Sequence, residues 1–246
     1  SFLQAVRRFS TKPTENSSSM LGTMPPHLCY IFLQSPQPIS RFPSRPMVPI
    51  QRALQLKVTK WGALVNWAFY GGPMSENFEE VSAKAFFANG RTLDISRLTM
   101  ANLDTVEQEM RDCLSGNGPS SLNDALHLYV CTHGTRDCRC GTVGKDVAEA
   151  LRREISVRAE ADPKGLASRC TVGEVGHVGG HQYAANLLVY PHGEWLGSLT
   201  PEHIPTTVDK VIELASKPIS IHSPPLMPLN WRGRMGLSKE AQKELI

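Results

Sequence analysis

The sequence predicts an α/β protein, and three observations carry that prediction. Apolar runs of strand length recur between Pro, Gly and Ser clusters, as in "HLCYIFLQ" (27–34), "ALVNWAFYG" (63–71) and "ALHLYVCTH" (125–133). Two longer segments, 101–114 and 145–160, repeat apolar residues at helical spacing instead. Two hairpin signals, Asn89-Gly90 and His192-Gly193, are each followed by a strand, a Leu-Thr pair and a further amphipathic stretch. A chain of 246 residues that is 41% hydrophobic buries a sizeable core, as one large domain or two small ones.

The elements follow in order. Residues 1–26 read as a presequence and disordered linker. "SFLQAVRRFSTKPTENSSS" carries Arg7, Arg8 and Lys12 before the first acid, Glu15, and Phe2, Leu3 and Val6 share one face of a short helix. That is the pattern of a mitochondrial transit peptide, with cleavage expected after Phe9. Residues 10–27 are polar and Pro/Ser-rich, and are expected to lack regular structure. A strand at 27–34, the Pro-rich "SPQPISRFPSRPMVP", a strand at 63–71, the hairpin at 83–96 and the helix at 101–114 form a smaller N-terminal α/β domain, 27–118. "GNGPSSLND" (116–124) is the boundary. The second half supplies a strand (125–133), a helix (145–160), a strand (167–176), a hairpin (186–199) and a helix (200–215) with Thr200 as its cap and Pro201 in its first turn. That order is thioredoxin-like, and it assigns 119–220 to such a domain, with 221–246 as a tail packing on it. The shared grammar of the two halves makes the first a candidate degenerate copy of the second.

Composition excludes several classes. No apolar run reaches the roughly 18 residues of a membrane span. The net charge of +3 comes without a basic stripe interleaved with aromatics, so no nucleic-acid partner is expected. No paired-carboxylate motif for glycoside hydrolysis and no nucleophile–base–acid triplet is evident.

The chemistry lies in two Gly-rich loops. "CTHGTRDCRCG" (131–141) holds Cys131, Cys138 and Cys140, and "HVGGH" (177–181) holds His177 and His181 with Gly179 and Gly180 between them, where the backbone can approach closely. Thiolates and imidazoles, with only Asp137 and Glu174 as nearby carboxylates, suit zinc, copper or iron–sulfur. The C-x-C spacing of Cys138 and Cys140 is neither a zinc knuckle nor a thioredoxin C-x-x-C pair. A [2Fe–2S] cluster held by two cysteines and two histidines is the third possibility. Ferric ions, sulfides, thiolates and neutral imidazoles then sum to zero charge, which eases burial and raises the potential above that of plant-type ferredoxins. Arg136 and Arg139 sit where they would offset the charge added on reduction. Cys29, Cys113 and Cys170 lie on predicted strands or a helix and read as small core residues, His127 as a surface-facing or satisfied strand residue, and Trp195 as core or a cover over the site.

Together "CTHGTRDCRCG", "GHVGGHQYAANLLVYPHGEWLG" and the tail "WRGRMGLS" resemble the sucrase/ferredoxin-like family, thioredoxin-like [2Fe–2S] ferredoxins, and among them the fungal mitochondrial members. The resemblance runs from about residue 120 to the C-terminus and more faintly across the first half. It implies a [2Fe–2S] cluster on Cys131, Cys140, His177 and His181, with Cys138 as an extra cysteine and alternative ligand, and His133 placed to support the ligands. It also implies a mitochondrial single-electron carrier, in the matrix rather than the intermembrane space, serving a redox protein partner. The second reading is an adaptor subunit of a larger mitochondrial complex, with the cluster or a zinc ion bracing the fold.

Overall fold

The computed structural model describes residues 20–72, 74–75, 77–120 and 125–245, so the expected presequence lies outside the described residues. Its first half runs β1 (Cys29–Gln34), α1 (Pro49–Val58), β2 (Ala63–Phe69), β3 (Val81–Phe87), β4 (Thr92–Leu98) and α2 (Leu103–Leu114). The second runs β5 (Leu126–Cys131), α3 (Lys145–Ala161), β6 (Cys170–Val175), β7 (Leu187–Tyr190), β8 (Glu194–Leu196) and α4 (Ile204–Ala215), followed by β9 (Trp231–Arg234) and α5 (Lys239–Glu244). The sheet order is β4-β3-β1-β2-β6-β5-β7-β8-β9. The order β2-β1-β3-β4 therefore recurs as β6-β5-β7-β8. Directions repeat too: β1 is parallel to β2 and antiparallel to β3, as β5 is to β6 and β7. The halves join where β2 and β6 pair antiparallel, Ala68 opposite Val175.

Strand alternation explains the layers. On β1, Cys29, Ile31 and Leu33 face the core closed by α1 and α2, while Tyr30 and Phe32 face the other way. On β5, Leu126, Leu128 and Val130 face α3 and α4, while Tyr129 and Cys131 face the other way. The two opposite faces meet each other. Phe32 stacks on Tyr129 at 3.9 Å between ring centroids, and Phe86 on Tyr190 at 4.6 Å. Each half thus has its own helix-covered core, and a third, aromatic core seals them together and ends at Cys131.

Two expectations need correction, and one helix was not anticipated. Residues 20–27 are packed, not linker: Met24 is fully buried and Thr23 bonds Arg232. The segment carries the apolar side chains of Met20, Leu21 and Met24, but it directly follows a polar, Ser-rich stretch. Helix α1 follows the Pro-rich stretch: Pro49 starts it, where its missing N–H costs nothing, and Ile50, Leu54 and Val58 pack inward. His127 is buried, with neither ring nitrogen partnered. Near the C-terminal end, Trp231–Arg234 adds β9 to the edge of β8. Cys29 and Cys113 are core residues as expected, and Cys170 is half-buried.

β9 was illegible as a strand because its charges are inside. Arg234 is 2% exposed and Glu194 0%. Glu194 accepts from Arg234 and from Trp231 Nε1, and Arg234 also donates to the carbonyls of Ile221 (2.9 Å), Ser223 (2.6 Å) and Pro224 (2.9 Å). Glu194→Ala leaves a buried guanidinium without its carboxylate, so a loss of about 3–5 kcal/mol is expected in urea unfolding. A loss under about 1 kcal/mol would mean that the loop carbonyls alone satisfy Arg234.

Buried histidines set the acid limit. Burial lowers His27 and His127 to about 4, while the unfolded values stay near 6.5. The unfolded chain therefore binds protons first, and the stability these residues contribute is whole above pH 6.5 and falls as pH drops toward 4. Denaturation midpoints measured between pH 7.5 and 4.5 should decline, and His127→Phe should flatten part of that decline.

Candidate metal centre

The first loop begins where β5 ends. Cys131 is the last residue of β5, fully paired in the sheet, so its Sγ position is set by the strand. Cys140 opens a π-helical turn, Cys140–Gly144, that leads into α3. This turn is pressed against β5: a Cβ on Gly144 would lie 2.2 Å from the Cys131 carbonyl oxygen. Glycine there lets the helix start come close enough for Cys140 to face Cys131. The second loop follows β6, which pairs in parallel with β5, so both loops leave the same edge of the sheet.

There the structure gathers three metal-ligating groups. One donor atom each from Cys131, Cys140 and His177 lie within 4.8 Å of one another, the only such group among the described residues. Both cysteines are buried, and His177 Nδ1 is buried without a hydrogen-bond partner. His181 lies beside them, its ring centroid 5.6 Å from that of His177, with its side chain 50% exposed. Cys138 is exposed and outside the group.

The two thiols share their protons unequally. Cys131 is shifted down because it accepts from the Cys140 thiol and from the backbone N–H groups of His133 and Val178, with the Arg232 cation nearby. Cys140 is shifted up by its bond to Cys131 and by burial. Cys131 thus ionises first. A metal that removes both protons inherits N–H donors already aimed at one sulfur.

Positioning groups surround the site. His133 Nε2 lies 3.0 Å from the Pro43 carbonyl, and its Nδ1 lies 3.3 Å from the backbone nitrogen of His177. Together these assign the tautomer: Nε2–H donates to Pro43, and Nδ1 accepts from the His177 N–H. His133 thus ties the Pro-rich segment to the His177 loop. Arg139 forms a two-pronged pair with Asp137 at 2.9 Å, which holds that carboxyl down at about 2, and Asp137 Oδ2 is 4.0 Å from His181 Nε2. The charge of Arg139 is therefore already matched. Arg136 is exposed beside the site.

One neighbour was not foreseen. Arg232 on β9 is 1% exposed. It donates to the carbonyls of Gly179 (3.1 Å) and Thr23 (3.3 Å), to Asn186 Oδ1 (2.8 Å) and to Thr23 Oγ1 (3.1 Å). Its guanidinium also lies over the rings of Tyr183 and Trp195, at 5.4 and 5.6 Å. None of these partners is a carboxylate, and burial lowers Arg232 to about 10. Gly180, at φ +66°, makes room: a Cβ there would lie 2.4 Å from an Arg232 nitrogen. The "WRGR" run was visible in the sequence, but nothing local linked its first arginine to a loop some fifty residues earlier. Trp195 is core, 1% exposed.

The donor set fits a soft or borderline metal centre: two buried thiols, an imidazole with an orphaned nitrogen, a second imidazole adjacent, and no carboxylate within the group.

Curated relatives carry different names. "Altered inheritance of mitochondria protein 32" of Meyerozyma guilliermondii is 31% identical over 120 residues, 48% of this chain and 36% of that protein. The protein of the same name from Eremothecium gossypii is 34% identical over 94 residues, 33% of this chain and 27% of that one. "Actin patches distal protein 1" of Saccharomyces cerevisiae is 34% identical over 93 residues, 35% and 29% of the two chains. The aligned part spans about a third of each relative's length. Among solved structures, the thioredoxin-like [2Fe-2S] ferredoxin from Aquifex aeolicus is 20% identical, with a TM-score of 0.30 over 39% of this chain and 91% of that one. No helix among the described residues is long and apolar enough to cross a membrane. The match runs through both repeated α/β units: the sucrase/ferredoxin-like family model covers residues 20–233, and the chain belongs to that family.

Proposed function

We propose that this chain is a mitochondrial [2Fe–2S] protein that carries single electrons in redox homeostasis, with the cluster held by Cys131, Cys140, His177 and His181. The observation that carries the reading is the convergence of Cys131, Cys140 and His177 within 4.8 Å, with His177 Nδ1 buried and unpartnered. His181, next to His177 and half-exposed, is the fourth ligand and the contact with solvent. A bound cluster would supply a reversible one-electron couple. The chain's residues do the rest. Val178 and the aromatic core exclude water from the Cys131 side. The N–H groups of His133 and Val178 lower the charge density on the Cys131 sulfur, and the imidazoles keep the net charge near zero. The mitochondrial assignment draws on the names of two relatives.

The compactness of the three-donor group also suits one tetrahedral ion, which supports the bracing role for zinc as a second reading. Anaerobic purification followed by iron, sulfide and zinc analysis, with visible and EPR spectra before and after dithionite, separates the two. About two irons and two sulfides per chain with a reduced signal carry the first reading. One zinc without sulfide, in protein never exposed to air, carries the second.

A further inference from the structure

We propose that the edge of the metal centre beside His177 is a docking site for an acidic redox protein, with Arg41, Arg45 and Arg136 as its cationic contacts and Met47 as its apolar one. This deepens the electron-carrier reading and rests on it.

The charge pattern is the first support. Residues 16–75 contain no Asp or Glu, yet include Arg41, Arg45, Arg52, Lys57 and Lys60. The structure brings the arginine-bearing part of that stretch to the site. Thr135 Oγ1 donates to the Phe42 carbonyl at 2.5 Å, and His133 Nε2 bonds the Pro43 carbonyl at 3.0 Å. Ser44, Pro46, Arg136 and His177 then line one recess of about 230 Å³. Arg45 lies between two of those residues and Arg41 precedes Phe42.

These cations are free to meet a partner. Arg41, Arg45 and Arg136 are exposed, and among the described residues none forms an ion pair. The carboxylates nearest the site are already matched, Asp137 by Arg139 and Glu174 by Arg152. The rim therefore presents net positive charge where an electron would enter or leave. Such a field raises the encounter rate with an acidic surface and fixes its orientation.

The side-chain types point to protein rather than nucleic acid or membrane. Met47, two residues after Arg45, is 75% exposed, and Arg with Met, without Lys, is the composition of protein interfaces. The nearby rings that would stack bases, Phe42 and Trp67, are 2% and 1% exposed. Pro36, Pro38, Pro43, Pro46 and Pro49 restrict the segment's backbone, so little ordering entropy is lost on docking.

The test has two arms on the full chain. In the first, the ¹⁵N-labelled protein is titrated with a decaglutamate peptide and, separately, with single-stranded decathymidylate. The peptide should shift amides of 41–47 and 135–139, and the Arg45→Glu/Arg136→Glu double variant should weaken binding at least tenfold at low salt. Shifts elsewhere, no shifts, or equally tight binding of the oligonucleotide overturn the proposal. In the second, the reduced protein is oxidised by ferricyanide and by tris(phenanthroline)cobalt(III) in stopped flow. The double variant should slow the anionic oxidant by about tenfold and speed the cationic one, and both effects should collapse at about 0.5 M salt, where screening is complete within a few ångströms. Unchanged rates in iron-containing protein overturn the proposal. Absence of iron would instead remove the carrier reading and leave the peptide arm alone to decide the surface.

Discussion

Cys140→Ser should lose its iron and sulfide almost entirely, while Cys138→Ser should retain both. The two cysteines sit two residues apart in "CRC", and local spacing does not choose between them. Geometry does. Cys140 is buried at the start of the turn into α3, within 4.8 Å of the Cys131 and His177 donors, whereas Cys138 faces solvent on the far side of the loop. A serine oxygen is a poor replacement for a thiolate on a soft metal, so a fall of tenfold or more in bound iron per chain is expected from Cys140→Ser. Serine nearly matches cysteine in size, so circular dichroism and the urea midpoint of the metal-free protein should change little. The reverse result, with iron lost from Cys138→Ser and kept by Cys140→Ser, would move the second sulfur ligand to Cys138 and require the loop to refold on binding.

Arg232→Met should lower the reduction potential of the proposed cluster by tens of millivolts or more, the order of magnitude for removing one nearby positive charge at an effective dielectric of about 20. The sign follows from charge. Reduction adds an electron to the site, a buried cation nearby stabilises the reduced form, and its removal favours the oxidised one. Arg232 is suited to this because no carboxylate pairs with it and burial leaves its field unscreened. It also ties the Gly179 carbonyl to Asn186 and Thr23, so Met substitution should cost about 2–4 kcal/mol in urea unfolding through polar groups left unpaired. Arg232→Lys separates the two effects. An ammonium keeps the charge but cannot reach three partners in a planar fork, so the potential should return toward that of the parent while the loss of stability largely persists. If Lys and Met give the same potential, Arg232 acts by holding the loop and not by its charge.

Most of the regular structure was legible because it is local. Strands β1, β2 and β5 are apolar runs of β-branched and aromatic residues, and α2 and α3 carry inward faces at helical spacing. Asn89-Gly90 turns the β3–β4 hairpin, and Thr200 caps the last turn before α4. What was missed is dominated by context. The start of α1 is a Pro in a Pro-rich stretch, and only its position in the first turn makes it a start signal. β9 is "WRGR", whose arginines are inside only because Glu194 and the carbonyls of 221–224 are there to meet them. The packing of 20–27 depends on Arg232, more than two hundred residues away.

By itself the sequence determined that the candidate donors lie in two short loops rich in sulfur and imidazole and poor in carboxylate, and that these loops follow strands of an α/β unit. Donor type and loop spacing are local properties, readable without coordinates. Only the tertiary structure decided that Cys140 rather than Cys138 faces Cys131, that His133 ties the Pro-rich segment to the His177 loop, and that a buried arginine stands beside the site. Those facts depend on parallel pairing of β5 with β6 and on β9 closing the sheet edge, contacts between residues distant along the chain. The hydrogen bonds that set the proton order of the two thiols, from Cys140 and from the N–H groups of His133 and Val178 to Cys131, exist only once those contacts form.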